Sequence, residues 1–379
     1  MIRAVLVDDE PPARVRMRQL LDAAGDVAVV GEAGNADDAR VVIRDTRPDL
    51  LFLDVEMPEV RGTALAASLP EPRPFIVFAT AFENYALDAI ALDATDYLLK
   101  PVSRTKLAAT LDRVRARLAK LTVERDVVAA SAVQSHMWAA ALPRIDGFDC
   151  AAASLPARGV GGDFYDLFPI GRGGSSDPPA QWAFLLGDAS GKGVAAGLVA
   201  SAVQARVNTA ARLAHLEPEA LMAAVDRDVY ATTDGARYAT AIYGVLDAQT
   251  SKLAIVNAGH PAALVFSKPG QVRTLTASGP ALGLIEAGDF GSHSLTLGPG
   301  TIFVTYTDGV SEAQNESGDE FGEAQLIEAV EALRHESSAH ICAAVLDAIR
   351  KYRGSRQDQD DVTVMVIKAT GAWDLGLGA

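Results

Sequence analysis

The chain has 379 residues, 49% of them hydrophobic and 22% charged, enough to bury the cores of about two ordinary domains. Its net charge of -15 repels phosphate backbones and anionic headgroups, which argues against a general binder of nucleic acid or of a membrane surface. Two cysteines without a Cys-x-x-Cys spacing support neither a disulfide framework nor a structural zinc site. No apolar stretch is long enough to span a bilayer, so a cytoplasmic protein is expected.

Short apolar runs at 4–7, 27–30, 50–53, 75–78 and 97–99 alternate with longer segments of helical spacing. Buried parallel strands joined by crossover helices have this texture. Five such units in about 120 residues predict a doubly wound α/β sheet, whose ligands gather beyond the carboxyl ends of the strands. The first run ends in Asp8-Asp9-Glu10, the third in Asp54, the fourth in Thr80-Ala81 and the fifth in Lys100-Pro101. One edge of the sheet then carries carboxylates, a hydroxyl and an ammonium around a single crevice. Clustered carboxylates suit Mg²⁺, and a carboxylate beside the ion can accept a phosphoryl group as an acyl phosphate. Acids that merely solvate strand ends would account for any one of these groups, but not comfortably for all of them.

From 107 to 142 the apolar positions Leu107, Leu111, Val114, Leu118, Leu121, Val128, Ala132, Ala139 and Leu142 follow a 4-3 spacing, interrupted by Arg125 and Ser135. No Pro or Gly intervenes before Pro143. A heptad register of this length predicts a linker that pairs two copies of the chain as a coiled coil. The alternative is one amphipathic helix packed on its own domains. Arg113, Arg115, Arg117 and Lys120 fall mostly off the seam, on a face expected to be solvated.

After Pro143 the runs shorten and alternate, at 182–186, 239–246, 253–257, 263–266 and 302–306, which predicts a second, strand-rich domain with inserted helices. Residues 171–180, rich in Gly, Ser and Pro, are expected to form a surface loop. Four motifs punctuate this region: Val160-Gly161-Gly162-Asp163-Phe164-Tyr165-Asp166, Gly187-Asp188-Ala189-Ser190-Gly191-Lys192-Gly193, Thr307-Asp308-Gly309-Val310-Ser311-Glu312 and Asp360-Asp361-Val362-Thr363. Each sets an acid beside small residues or a strand end, where a carboxylate reaches a metal without crowding. Acids from distant segments with no His or Cys among them make an oxygen-only site suited to Mg²⁺ or Mn²⁺. Two such ions can activate a water and hold the oxygens of a phosphoryl displacement. A single Asp-Gly turn would be an ordinary loop. The glycines of 187–193 lack the spacing of a phosphate-binding loop.

Residues 1–120 resemble a response-regulator receiver domain through Leu6-Val7-Asp8-Asp9-Glu10-Pro11, Leu53-Asp54-Val55-Glu56-Met57-Pro58, Ala79-Thr80-Ala81 and Asp96-Tyr97-Leu98-Leu99-Lys100-Pro101. The resemblance implies a flavodoxin-like fold in which a histidine kinase phosphorylates Asp54, while Asp8 and Asp9 help hold Mg²⁺. Thr80 and Lys100 then contact the phosphoryl oxygens, and Tyr97 reports the switch. The run Phe82-Glu83-Asn84-Tyr85-Ala86-Leu87 is similar to receivers that precede a DNA-binding LytTR domain, but no such domain follows.

Residues 143–370 resemble the PPM-type serine/threonine phosphatases of the bacterial SpoIIE-like branch. The four motifs carry the likeness, supported by Asn257-Ala258-Gly259-His260-Pro261, Gly279-Pro280-Ala281-Leu282-Gly283-Leu284 and Glu320-Phe321-Gly322. It implies an α+β fold, a β-sandwich flanked by helices, with two Mn²⁺ or Mg²⁺ ions. Asp188 bridges them, the Ala189 carbonyl meets the second ion, and Asp308 and Asp360 meet the first. Asp163 ligates the second ion or orients its waters. Arg158 stands where distant members place a phosphate-binding arginine, and it is equally readable as a surface charge. His260 is readable as a general acid or as a structural residue.

The joint expectation is a response regulator, linked through residues 107–142, whose Asp54 controls a phosphatase acting on a phosphoserine or phosphothreonine protein. By family analogy the substrate is a STAS-type anti-sigma antagonist, and the partners are a histidine kinase and a second copy of the chain, with no nucleic acid or membrane. A non-enzymatic phosphoprotein adaptor and a DNA-binding regulator are the alternatives.

Overall fold

The computed structural model describes residues 1–81, 92, 94–137, 142–156, 159–170, 179–214, 216–233, 235–356 and 360–370. The chain divides into two compact units, Met1–Arg125 and Asp126–Ala379.

In the first unit, β1 (Ile2–Val7), β2 (Val27–Ala33), β3 (Leu50–Leu53), β4 (Phe75–Thr80) and β5 (Asp96–Leu99) form one parallel sheet in the order β2-β1-β3-β4-β5. This is the flavodoxin-like doubly wound order, with its crevice beyond β1 and β3. The crossover helices are α1 (Pro11–Asp22), α2 (Ala36–Thr46) and α3 (Gly62–Ser68). Pro11 and Pro12 open α1 where no intrahelical N–H is needed, and the Asn35 side chain caps α2 by accepting from the Asp38 N–H. β3 is buried throughout because helices cover both faces of the sheet.

The helix α4 (Arg104–Met137) revises the reading of the 107–142 segment. Leu107, Leu111 and Val114 are buried in the receiver's own core, and Leu118 packs against that core. The first part of the seam is therefore the first unit's closing helix rather than a dimer contact. The basic face is also not simply solvated. Arg115 makes two 2.8 Å hydrogen bonds to Asp26, Arg113 pairs with Asp96, and Arg117 lies 5.4 Å from the Phe75 ring centroid. Exposed pairs of this kind stabilise by only about 0–1 kcal/mol each, so they orient the helix more than they hold it. Beyond Leu118 the seam residues Leu121, Val128 and Ala132 are exposed. Within the second unit the packed face of the helix lies one residue earlier: Val127 and Ser131 pack beside Gly159, and Gln134 is buried.

The second unit holds two five-stranded antiparallel sheets. One has the order β13-β10-β9-β8-β7, from β7 (Asp163–Ile170), β8 (Gln181–Ala189), β9 (Ala239–Asp247), β10 (Lys252–Ala258) and β13 (His293–Thr296). The other runs β12-β11-β14-β15-β6, from β6 (Phe148–Leu155), β11 (Ala263–Lys268), β12 (Gln271–Leu275), β14 (Ile302–Tyr306) and β15 (Val362–Ala369). Alternate residues of the two inner faces share one core, in which the Phe184 and Phe303 rings sit 5.4 Å apart. Truncating either ring to Ala is expected to cost about 3–5 kcal/mol. The outer face of the first sheet is covered by α5 (Val194–Leu213) and α6 (Pro218–Thr233). The outer face of the second is covered by α8 (Gly322–Ala332) and α9 (Ser338–Arg353), and a single turn, α7 (Asp308–Ser311), follows β14. The result is the β-sandwich flanked by helices that the family resemblance implies. The glycine-rich segment read as a surface loop falls mainly on 171–178, outside the described residues.

Both cysteines are free, Cys150 half-buried on β6 and Cys342 buried on α9. Burial pushes each thiol up to about 12, leaving almost no thiolate near neutrality. Iodoacetamide at pH 8 is therefore expected to leave the native chain unmodified and to add two labels in urea. Labelling of the native chain as fast as a free thiol would refute this burial argument.

Candidate functional site

In the first unit, Asp8 and Asp9 follow β1, Asp54 follows β3, Thr80 closes β4 and Lys100 follows β5. Because the strands are parallel, all five emerge at one sheet edge. One oxygen from each of Asp8, Asp9 and Asp54 lies within 4.8 Å of the other two. The Lys100 ammonium lies between, 2.6 Å from Asp54 Oδ2 and 2.7 Å from Asp8 Oδ2. Burial opposes the charge on Lys100, but its hydrogen bonds to Asp54 and Asp8 outweigh that and hold its pKa above the usual lysine range. Burial raises the pKa of Asp8 despite the lysine. Thr80 is buried, and its carbonyl accepts from the Lys100 N–H at 2.8 Å. Three carboxylates against one ammonium leave excess negative charge on hard oxygen donors, a set that fits Mg²⁺.

In the second unit, β7 and β8 pair in a register that sets Asp163 directly opposite Asp188. The other acids come from the second sheet: Asp308 leaves β14, and Asp360 and Asp361 enter β15. Two hydroxyls join the sheets, since Thr307 and Thr363 both donate to Asp163 Oδ2, at 2.8 and 2.6 Å. Those bonds fix the Asp163 carboxylate and engage only one of its oxygens. Gly162 donates its N–H to Asp361 Oδ2 at 2.8 Å, and a Cβ there would stand 2.7 Å from Asp188 Oδ1 and 2.9 Å from the Ala189 carbonyl. Only glycine permits that approach.

Burial raises the Asp188 pKa to about 7, with Asp308, Asp360 and Asp361 adding repulsion. Burial also raises Asp308, next to Asp360, and pushes Asp163 well above the carboxylate range, with Asp188 adding to it. Carboxylates that raise one another in this way form an anionic, oxygen-only cluster that a divalent cation would relieve, so the donor set fits Mg²⁺ or Mn²⁺. Among the described residues, however, no three of these acids bring their oxygens within 4.8 Å of one another as the receiver trio does. Lys192 lies 3.1 Å from Asp360 Oδ2.

Asp188, Ala189, Asp308, Asp360 and Asp163 thus converge, while Arg158 lies outside the described residues, as does the run from Phe82 to Leu87. His260 is fully buried with Nδ1 2.9 Å from Thr240 Oγ1, and burial lowers its pKa to about 3. Burial disfavours its charged form, and the Asn257 side chain accepts from its backbone N–H at 2.8 Å, which favours the structural reading over the general-acid one. Sequence reading placed Thr307 and Thr363 inside the motifs without a role, and missed Arg353. The buried Arg353 guanidinium donates to the carbonyls of Gly309 and Asp360, tying together the two loops that carry Asp308 and Asp360. It also lines a cavity of about 190 Å³ with Asp308, Glu312 and Asp360.

A family model described as Stage II sporulation protein E (SpoIIE) matches residues 178–370, just over half of the chain. The chain belongs to the SpoIIE family. Residues 4–112 of this SpoIIE-family chain also match the response regulator receiver domain. The SiaA-PP2C domain of Pseudomonas aeruginosa is similar in fold, with a TM-score of 0.56 and 20% identity, over 66% of this chain and 98% of that one. The phosphatase domain and regulatory fragment of SpoIIE from Bacillus subtilis has a TM-score of 0.51 and 18% identity, over 60% and 64%. Among curated proteins, the transcriptional regulatory protein BtsR is 46% identical in Salmonella typhi and 44% identical in Escherichia coli K12, over 124 residues in each. That span is 32% of this chain and 52% of theirs, so the chain spans about half the length of these relatives.

Proposed function

We propose that the chain is a response regulator in which phosphorylation of Asp54 by a histidine kinase controls a metal-dependent phosphatase acting on a phosphoserine or phosphothreonine protein. The observation that carries this reading is the convergence of Asp163, Asp188, Asp308 and Asp360 from both sheets at one end of the sandwich. Asp188, Asp308, Asp360 and the Ala189 carbonyl would hold two Mg²⁺ or Mn²⁺ ions, with Asp163 fixed by Thr307 and Thr363 beside them. When bound, such ions lower the pKa of water and neutralise phosphoryl charge. Arg353 keeps the Asp308 and Asp360 loops in register, and Lys192 brings a positive charge to the mouth of the site. The substrate class that family analogy favours is a STAS-type anti-sigma antagonist. No helix among the described residues is long and apolar enough to cross a membrane. The full chain with Mn²⁺ should release phosphate from a phosphoserine peptide and stop in excess EDTA. Full activity in EDTA would overturn the metal mechanism.

The exposed seam residues Leu121 and Val128 also support a homodimer through α4, with receiver phosphorylation altering that pairing and, through it, the helix that follows Gly193. Replacing both by Asp should make the chain monomeric in sedimentation and remove the response of phosphatase rate to beryllofluoride, an acyl-phosphate mimic. A monomer that responds as fully as the parent would show that coupling does not need the paired helix.

A further inference from the structure

The loop that carries Asp163 into the site is held from behind by a side chain on α4. Gln134 is 6% exposed, and its amide makes two hydrogen bonds to one residue: Nε2 donates to the Gly161 carbonyl at 2.8 Å, and the Gly161 N–H donates to Oε1 at 3.1 Å. The amide therefore pairs with Gly161 as a neighbouring strand would. The next residue, Gly162, donates to Asp361, and its carbonyl accepts from the Ala189 N–H at 3.1 Å. Its Cα packs against Asp188 and the Ala189 carbonyl so closely that no Cβ fits. α5 closes the same corner, where a Cβ on Gly197 would meet Val160 Cγ1 at 2.4 Å and Gln134 Nε2 at 3.1 Å. Residues 160–163 thus lie between Gln134 on one side and the acids on the other, with little room to adjust.

We propose that Gln134 is a positioning residue for the second unit's metal centre, setting through Gly161 the separation of Asp163 from Asp188 and the Ala189 carbonyl. This rests on the reading of those groups as ligands. A buried glutamine needs both amide atoms satisfied, and here both needs are met by the segment two residues before Asp163. Metal donors must be held to within about 0.5 Å, so a loop released from this clamp loses affinity before it loses fold. Outer contacts that orient ligands typically contribute about 10–100-fold in metal affinity. The signal in the sequence is a polar residue on the inner face of a helix, where an apolar pattern has nothing to count.

The test uses the full chain carrying Asp9→Asn, so that tight Mn²⁺ binding reports the second unit. Free Mn²⁺ is read by electron paramagnetic resonance, and thermal unfolding is measured without metal. Gln134→Met keeps the length and removes both hydrogen bonds, while Gln134→Glu keeps an acceptor for the Gly161 N–H but sets a carboxylate oxygen against its carbonyl. Both should weaken Mn²⁺ binding about tenfold or more, with the melting transition of the methionine variant retained. Unchanged Mn²⁺ affinity in a folded Gln134→Met chain would overturn the proposal. Failure of both variants to fold would overturn it too, by making Gln134 a determinant of the fold alone. If the chain with Gln134 intact neither binds Mn²⁺ in this unit nor, as the parent, releases phosphate, the metal-site reading itself fails and the inference falls with it.

Discussion

Asp308→Asn is expected to lower phosphate release from a phosphoserine peptide by two or more orders of magnitude, at or above the about 10²–10³-fold that one preorganised electrostatic contact contributes. The substitution keeps the shape of the side chain and removes one negative charge from a cluster of half-buried carboxylates, whose pKa values are raised by burial first and by their acidic neighbours second. The fold should tolerate it. The turn after β14 is set by the Glu312 N–H donating to the Asp308 backbone carbonyl at 2.7 Å, and Gly309 lies against the Asp361 carbonyl where a Cβ would clash at 1.8 Å. Neither feature involves the Asp308 carboxylate. Removing mutual repulsion should leave the metal-free protein at least as resistant to heat as the parent while it binds Mn²⁺ more weakly. Three measurements separate the causes: turnover, Mn²⁺ affinity and the melting transition without metal. Retained turnover in a well-folded Asp308→Asn chain would sink the assignment of Asp308 as a ligand, whereas loss of turnover together with the fold would point to the turn instead.

The acids were legible in the sequence because they sit beside glycines or at the ends of apolar runs, and those ends are where strands deliver side chains to a common edge. Receiver strands with continuous apolar runs, such as Leu50–Leu53, were equally plain. What stayed hidden depended on partners far away in sequence. β6 reads Phe148-Asp149-Cys150-Ala151-Ala152-Ala153-Ser154-Leu155, alanine-rich and without clear alternation, and it is a strand because it pairs with β15 along its whole length. Thr307 and Thr363 look like ordinary strand residues until two sheets bring them to the same oxygen of Asp163. Arg353, in the last turn of α9, looks like a charge suited to a helix end. Burial makes it a tie between two loops instead. The 4-3 spacing from Leu107 identified a real apolar stripe, but a stripe reports that something apolar faces it and not what. In this chain the receiver core takes Leu107, Leu111 and Val114, and the packed face inside the second unit is carried by Val127, Ser131 and Gln134, two of them polar and so invisible to a hydrophobic pattern.

Acetyl phosphate with Mg²⁺ should add one phosphoryl group to the chain, on Asp54, and Asp54→Asn should reduce that labelling to none. In this reaction an Asp54 carboxylate oxygen attacks phosphorus as acetate leaves, so the new P–O bond replaces the old one and no oxidant or further reactant is needed. An amide of the same size has no carboxylate to attack with. The surroundings favour the aspartate in two ways. Asp8 and Asp9 hold oxygens within 4.8 Å of the acceptor, where an ion can neutralise the incoming phosphoryl charge. Lys100, 2.6 Å from Asp54 Oδ2, supplies a charge-assisted hydrogen bond that can pass to a phosphoryl oxygen once the carboxylate is phosphorylated. Lys100→Met should therefore slow labelling without abolishing it, since the nucleophile and the acidic pair remain. Asp9→Asn should make labelling much less responsive to Mg²⁺. Intact-mass spectrometry of the four chains after a fixed exposure decides the matter. A mass gain of one phosphoryl group in Asp54→Asn equal to that in the parent would place the acceptor elsewhere. Loss of labelling in Lys100→Met as complete as in Asp54→Asn would mean that the lysine is needed for the transfer itself.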